Sequence, residues 1–141
     1  MGRWMQVWWV SVGSVLALSG CVSEPLTADQ QAFCAFTSEE RLDVFDDDVF
    51  AMSPADFEAA QRSQTEAFVS ALEVAPPELQ DTIEWIIGQY AAINAVYDDI
   101  GWDLSRADEA DPELLAVVAN RFPESEADDR YREIEVWTRR C

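Results

Sequence analysis

The sequence predicts an all-α protein, a single antiparallel bundle of four to five helices that follows a cleaved signal peptide. Three observations support this prediction. Apolar residues recur at intervals of three and four in several segments, no segment of useful length alternates as a strand would, and prolines beside capping residues separate the periodic segments. Because each helix of a bundle buries one apolar stripe, we expect one helical domain over residues 27–141.

Residues 1–20 have the organisation of an export signal, with a positive charge at Arg3 and an apolar or small stretch from Val7 to Leu18. That stretch is shorter than the roughly 20 residues that a helix needs to cross a bilayer. It ends in Leu18-Ser19-Gly20-Cys21, which resembles the bacterial lipobox. The resemblance implies cleavage before Cys21 and a diacylglycerol group on its sulfur. The alternative is an ordinary secretory signal cleaved nearby, with Cys21 free or in a disulfide.

The lipobox interpretation also predicts where the protein works. Residues 1–20 would be a lipoprotein signal peptide and residues 21–26 a lipidated tether, with the helical domain facing outside the cytoplasm. We expect the membrane to be contacted through the covalent lipid on Cys21, since two acyl chains suffice for stable anchoring.

The first helix is predicted to begin at Thr27, which forms a capping box with Gln30. An imperfect apolar stripe then continues to about Phe50. Thr37 and Glu40 make a second capping box, which offers an alternative start within this segment. The sequence therefore predicts either one continuous helix here or two shorter ones.

The second helix is predicted to begin at Ser53-Pro54, an N-cap residue followed by proline at the first helical position. Pro76-Pro77 ends it and begins the third helix, and Gly101 suits the left-handed residue that closes that helix. The third helix has the most regular pattern, a heptad-like seam of Leu79, Ile83, Ile86, Tyr90, Ile93, Tyr97 and Ile100.

Two further helices complete the prediction. Asp111-Pro112 begins a short one, which Pro123 ends, and the last runs from about Ser125 to Arg140. Its apolar face would carry Tyr131 and Ile134.

The composition is strongly acidic, with 28 acidic and 9 basic residues and a formal net charge of −19. Loss of Arg3 with the signal would take this charge to −20. Such a chain lacks the basic surface that nucleic acids require, so we expect no nucleic-acid partner. It should also be repelled by anionic lipid head groups, which leaves the anchoring to the lipid. The charge could attract a cation, or it could simply keep an exported domain soluble.

The residue inventory excludes most enzyme chemistry. The chain has no histidine and all its basic residues are arginine. Nucleophile–histidine pairs, histidine metal sites, lysine Schiff bases and phosphate-binding loops are therefore all excluded. We expect no enzymatic activity and no cofactor, with a carboxylate-dependent hydrolase as an alternative.

Two groups of aspartates are weak candidates for binding a cation such as Ca²⁺. Neither has the spacing of an EF-hand, and a solvated helix end or loop explains each more simply. The first group is Asp43, Asp46, Asp47 and Asp48; the second is Asp98, Asp99, Asp103, Asp108 and Asp111. Trp102, within the second segment, is predicted to anchor the loop, with a ligand-binding surface aromatic as the alternative. Glu84 lies off the apolar seam and is predicted to be exposed.

The three cysteines divide between lipid and disulfide. Lipid accounts for Cys21, and Cys34 and Cys141 would share an oxidising space, so we expect them to pair. A redox or metal pair is the alternative, but no second ligand lies at a suitable spacing.

The domain resembles small exported helical proteins of actinobacteria, many of them lipoproteins. The resemblance rests on four features: Cys34 beside Phe33, the helix start from Pro76 to Leu79, the Asp103-Leu104 loop, and a final aromatic helix from Tyr131 to Cys141. It implies the same helical architecture and the Cys34–Cys141 pairing, and it implies no particular activity.

Three functions remain in order of preference. The first is a lipid-anchored module that binds an envelope protein or ligand, the second a divalent-cation-binding domain, and the third a carboxylate-dependent hydrolase. An apolar patch on the folded surface would favour the first.

Overall fold

The computed structural model describes residues 25–39 and 49–141, and this part of the chain is helical and contains no strand, as predicted. The α-helices described are α1 (Ala28–Glu39), α2 (Pro54–Val74), α3 (Pro77–Asp99), α4 (Pro112–Arg121) and α5 (Glu124–Thr138). Two 3-10 turns, Val49–Ala51 and Leu104–Glu109, precede α2 and α4. The predicted signal peptide and Cys21 lie outside the described residues.

The helices begin where the sequence predicted. The Thr27 N–H donates to Gln30 Oε1 at 2.9 Å and the Gln30 N–H donates to Thr27 Oγ1 at 3.3 Å, so the capping box closes in both directions. Ser53 caps α2 and Asp111 caps α4, each accepting a backbone N–H with its side chain. The prolines that follow these caps occupy the first turn, where a missing N–H costs nothing.

The first helix differs from the prediction at its far end. It runs without a break through Thr37 and Ser38, so the alternative start at Thr37 is not used. Each hydroxyl donates to the carbonyl three residues earlier, to Cys34 O and Ala35 O, as exposed hydroxyls in helices often do. The described part of this helix ends at Glu39, and Val49–Ala51 is a 3-10 turn where the stripe to Phe50 predicted α-helix.

The central helix is α3, which packs against α2, α4 and α5, while α1 packs on α2. Its predicted seam is buried or half-buried along its whole length. The first half of the seam joins a core with α1, α2 and α5, made of Phe33, Phe68, Ala71, Ala75, Leu79, Ile83, Ile86, Tyr90, Ile134 and Trp137. Ile100, at the end of the seam, joins a smaller core with Val96 and Ala110, against which Leu114 and Val118 of α4 pack.

The end of α4 lies close to α3 at Gly88. A Cβ atom at this position would lie 3.3 Å from Phe122 Cζ, so the absence of a side chain lets the Phe122 ring approach the helix. The ring then packs edge-on against Trp85, with 5.2 Å between centroids. This contact holds the junction between α4 and α5 against the middle of α3.

The predicted disulfide joins Cys34 in α1 to Cys141 after α5, with a Cα–Cα distance of 5.3 Å. Beside it, Phe33 meets Trp137 edge-on at 5.8 Å between ring centroids. Among the described helices, none combines the length and the hydropathy needed to span a bilayer.

Candidate binding groove

An open groove of about 510 Å³ lies between α2, the second half of α3, α5 and the two 3-10 turns. We call it the aromatic groove, after the rings that make up much of its lining. Its lining residues are Val49, Phe50, Phe57, Gln61, Gln89, Tyr90, Ile93, Tyr97, Leu104, Ala107 and Tyr131. The volume lies within the range of pockets that hold small organic molecules.

Among the described residues, no side chain of this lining is charged, although 26% of the chain's residues are charged. The groove contains three phenol groups, and burial raises the pKa of Tyr90, Tyr97 and Tyr131 above the ordinary value. The phenols therefore stay protonated well above neutral pH. The groove is a neutral surface within a strongly acidic protein.

The polar atoms of the groove belong to amides and hydroxyls. Gln61 is 7% exposed, and its Oε1 has no hydrogen-bond partner among the described residues. Among the described residues, Gln89 Oε1 accepts a long 3.4 Å bond from the Tyr131 hydroxyl. The described donors thus leave these two acceptor oxygens unpaired or weakly bound.

One wall of the groove is built on the residue pair that ends α3. Gly101 (φ 66°) and Trp102 (φ 60°) both adopt the left-handed conformation. The Trp102 N–H donates to Tyr97 O at 2.8 Å and the Gly101 N–H to Asp98 O at 3.2 Å, which is a Schellman motif. Gly101 fulfils the sequence prediction, whereas left-handed Trp102 was not predicted.

The Trp102 side chain is 6% exposed and packs inside the protein, so the loop-anchor prediction is confirmed. Its ring meets Phe57 at 5.9 Å and Tyr97 at 5.6 Å between centroids, and these two rings lie 4.9 Å apart. The outer side of the indole is covered by the Arg62 guanidinium, 5.3 Å from the ring centroid. Trp102 therefore packs against Phe57 and Tyr97, two of the aromatic residues that line the groove.

A smaller cleft of about 170 Å³ adjoins the aromatic groove and shares Phe57 and Leu104 with it. It contains Asp103, whose Oδ1 accepts both the Ser105 N–H at 3.0 Å and the Ser105 hydroxyl at 2.7 Å. These hydrogen bonds lower the pKa of Asp103. The Asp103 carboxylate therefore caps the 3-10 turn Leu104–Glu109.

The predicted aspartate site does not assemble among the described residues. Asp98 accepts from Trp102, and Asp99 accepts the Asp111 N–H at 2.8 Å, while Asp111 caps α4. No group of three carboxylates or cysteines suited to a metal ion occurs in residues 25–39 and 49–141. The other candidates, Asp43, Asp46, Asp47 and Asp48, lie outside the described residues.

Acidic residues do line one other depression, of about 450 Å³ on the outer side of α5. Its carboxylates each bind a neighbour: Glu78 accepts from Gln30, Asp129 from Arg132, and Glu133 from Thr82. Glu84 is exposed, as predicted.

The sequence pattern did not predict the aromatic groove. The heptad spacing predicts a packed seam that includes Tyr90, Ile93 and Tyr97, yet Ile93 and Tyr97 are only half-buried. The signal that could have found the groove is Gln61, an amide on the apolar stripe of α2 between Phe57 and Phe68.

Comparison of the chain with protein-family models, with curated proteins and with solved structures finds no match in any of the three. The proposed binding role therefore rests on the residues that line the groove.

Proposed function

We propose that the protein is an exported lipoprotein, anchored by lipid on Cys21, that binds an envelope component in its aromatic groove. The single observation behind the binding role is an open, uncharged, aromatic-rich groove on a protein of net charge −19. The anchoring role rests on the Leu18-Ser19-Gly20-Cys21 motif after an apolar stretch.

The groove favours a binding role because its described lining is aromatic and uncharged, whereas the protein as a whole is strongly acidic. Apolar depressions with a few convergent polar groups are the usual sites of small-molecule binding. Leaving aromatic surface in contact with water is unfavourable, and a ligand that covers it recovers roughly 25 cal/mol per Å² buried. The Gln61 oxygen, which has no hydrogen-bond partner among the described residues, adds a polar atom that a ligand could satisfy.

The position of the groove suits a lipid-anchored receptor. The start of α1 lies beside the start of α3, where Gln30 Nε2 donates to Glu78 Oε1 at 3.3 Å. On α3 the groove extends from Gln89 to Tyr97. At 1.5 Å per residue these positions are about 16 and about 28 Å along the helix from Glu78. The groove therefore lies along the second half of α3, away from the start of α1.

Anchoring is tested by expressing the full chain and its Cys21→Ser variant in a bacterial host that processes lipoproteins. We expect the wild-type chain in the membrane fraction, with an intact mass that matches loss of residues 1–20 and addition of lipid. The variant should lack the lipid mass. An unlipidated wild-type chain would refute the anchor.

Binding is tested by blocking the groove from its rim. Ala107 is exposed on the second 3-10 turn and lines the groove, so Ala107→Trp should fill the groove without disturbing the core. Ala91→Trp, at an exposed position of α3 outside the lining, is the matched control. We expect at least one cellular compound to co-purify with wild type and Ala91→Trp and to be lost from Ala107→Trp. Identical extracts from all three proteins would contradict the binding role.

A further inference from the structure

We infer that the aromatic groove selects an uncharged ligand with a flat apolar body and a hydrogen-bond donor for Gln61. This inference rests on the proposed binding function and adds the chemical class of the ligand. It follows from three properties of the groove: its charge, its unused acceptors and the arrangement of its rings.

A lining without charge disfavours ionic ligands. A charged group that leaves water for a groove without a counter-charge loses hydration that nothing replaces. None of the described residues that line the groove is charged, and the Asp103 carboxylate in the adjoining cleft accepts hydrogen bonds from Ser105. An anion would in addition be repelled by the net charge of −19. A neutral ligand meets neither penalty.

The unused acceptor favours a donor on the ligand. The protonated phenols can supply donors of their own, but the buried Gln61 oxygen has no partner among the described residues. Gln61 is one of the residues that line the groove. A ligand N–H or O–H there would satisfy an acceptor that folding leaves unpaired.

The positions of the rings favour a flat body. Tyr90 and Tyr131 both pack on Phe68, at 5.5 and 6.3 Å between ring centroids, which holds them in place. Phe57 and Trp102 hold Tyr97 in the same way. A planar group can contact the half-buried Tyr97 and Tyr131 rings by stacking or edge-on packing without reordering them.

The test uses three probes that share the indole ring and differ in charge. N-acetyl-tryptophanamide is uncharged, N-acetyl-tryptophan is an anion, and tryptophanamide is a cation at about pH 6. Each is titrated by calorimetry into the full chain held in lipid nanodiscs, with empty nanodiscs as the blank. We expect saturable binding of the uncharged probe, at least about tenfold tighter than either charged probe.

Two variants of the same kind on α2 test the role of Gln61. Gln61→Leu should weaken binding of the uncharged probe about fivefold to tenfold, the effect of one hydrogen bond. Gln64→Leu also replaces an amide that has a buried, unpartnered atom among the described residues. Because Gln64 lies outside the groove lining, this variant should bind the uncharged probe as tightly as wild type. Ala107→Trp should abolish binding and Ala91→Trp should not.

Three results would overturn the inference. The first is a charged probe that binds as tightly as the uncharged one, and the second is the absence of saturable binding of the uncharged probe at about 10 mM. Equal effects of Gln61→Leu and Gln64→Leu on the affinity for the uncharged probe would also overturn it. A charged cellular compound lost from Ala107→Trp would refute the inference and leave the binding function intact. Identical extracts together with no probe binding would refute both.

Discussion

Trp102 donates its indole N–H to Asp98 Oδ1 at 2.8 Å, which ties the first residue of the loop to the last turn of α3. The backbone of Trp102 is left-handed at φ 60°, a conformation that costs a residue with a side chain roughly 1–2 kcal/mol. The hydrogen bond, the burial of the ring and the Arg62 contact must together outweigh that cost.

Replacing Trp102 by phenylalanine removes the indole donor and part of the buried ring. We expect Trp102→Phe to lower the free energy of unfolding by about 2 kcal/mol and Asp98→Ala by about 1 kcal/mol, measured by urea denaturation. The double variant should lose less than the sum, because both remove the same hydrogen bond. Asp108→Ala, at an exposed position of the same segment, should stay within about 0.5 kcal/mol of wild type. Strict additivity of the two changes would show that the bond contributes nothing.

The disulfide should contribute more to stability than any single contact. Cys34 and Cys141 are 107 residues apart in sequence, and a cross-link over such a loop restricts the unfolded chain by roughly 4–5 kcal/mol in the entropic model. We expect the double variant Cys34→Ala, Cys141→Ala to unfold at a much lower guanidinium concentration. Reduced wild type should behave like this variant, and Cys21→Ser should not. Coincident curves for oxidised and reduced wild type would contradict the prediction.

The buried tyrosines should make the protein sensitive to alkali. The chain has three tyrosines, and burial raises the pKa of each above the ordinary value of 10.0. A folded-state pKa above the unfolded one gives stability that is complete below about pH 10 and is lost progressively above it. Tyrosinate absorbance should therefore appear together with the loss of helical circular dichroism. Tyr131→Phe should flatten the fall in stability with pH, and an unchanged slope would refute the assignment.

The Gln61 amide should reduce the stability of the free protein. An unpaired buried polar atom costs about 1–3 kcal/mol, and leucine has a similar size and no such atom. We expect Gln61→Leu to raise the free energy of unfolding by about 1 kcal/mol while it weakens ligand binding. A rise in stability with a loss of function is common at binding sites. Destabilisation by Gln61→Leu would show that the amide is satisfied in solution.

The elements of the fold could be predicted because their signals are local. The Thr27–Gln30 box, the Ser53 and Asp111 caps and the Gly101 stop each act within one turn of a helix, and each appears as expected. The seam of α3 is equally local, since a heptad spacing alone determines which side of a helix is apolar.

The groove could not be predicted in the same way. Periodicity shows that Ile93 and Tyr97 share a face with Ile86, but it does not show how far the neighbouring helices extend to cover that face. The turn at Leu104–Glu109 and the route of α5 decide this coverage, and both depend on tertiary packing. Left-handed Trp102 is also a tertiary outcome, because its burial against Phe57 and Tyr97 is among the contacts that offset the cost of this conformation.

The disulfide has a consequence for the survival of the protein against proteases. All the described helices from α2 to α5 lie between Cys34 and Cys141 in the sequence. A single cut in any loop between them would leave two fragments joined through sulfur. On a denaturing gel such a nicked chain would run as one band without reductant and as two bands with it. If the protein is anchored by lipid as proposed, damage to the loop beside the groove would therefore not detach the domain.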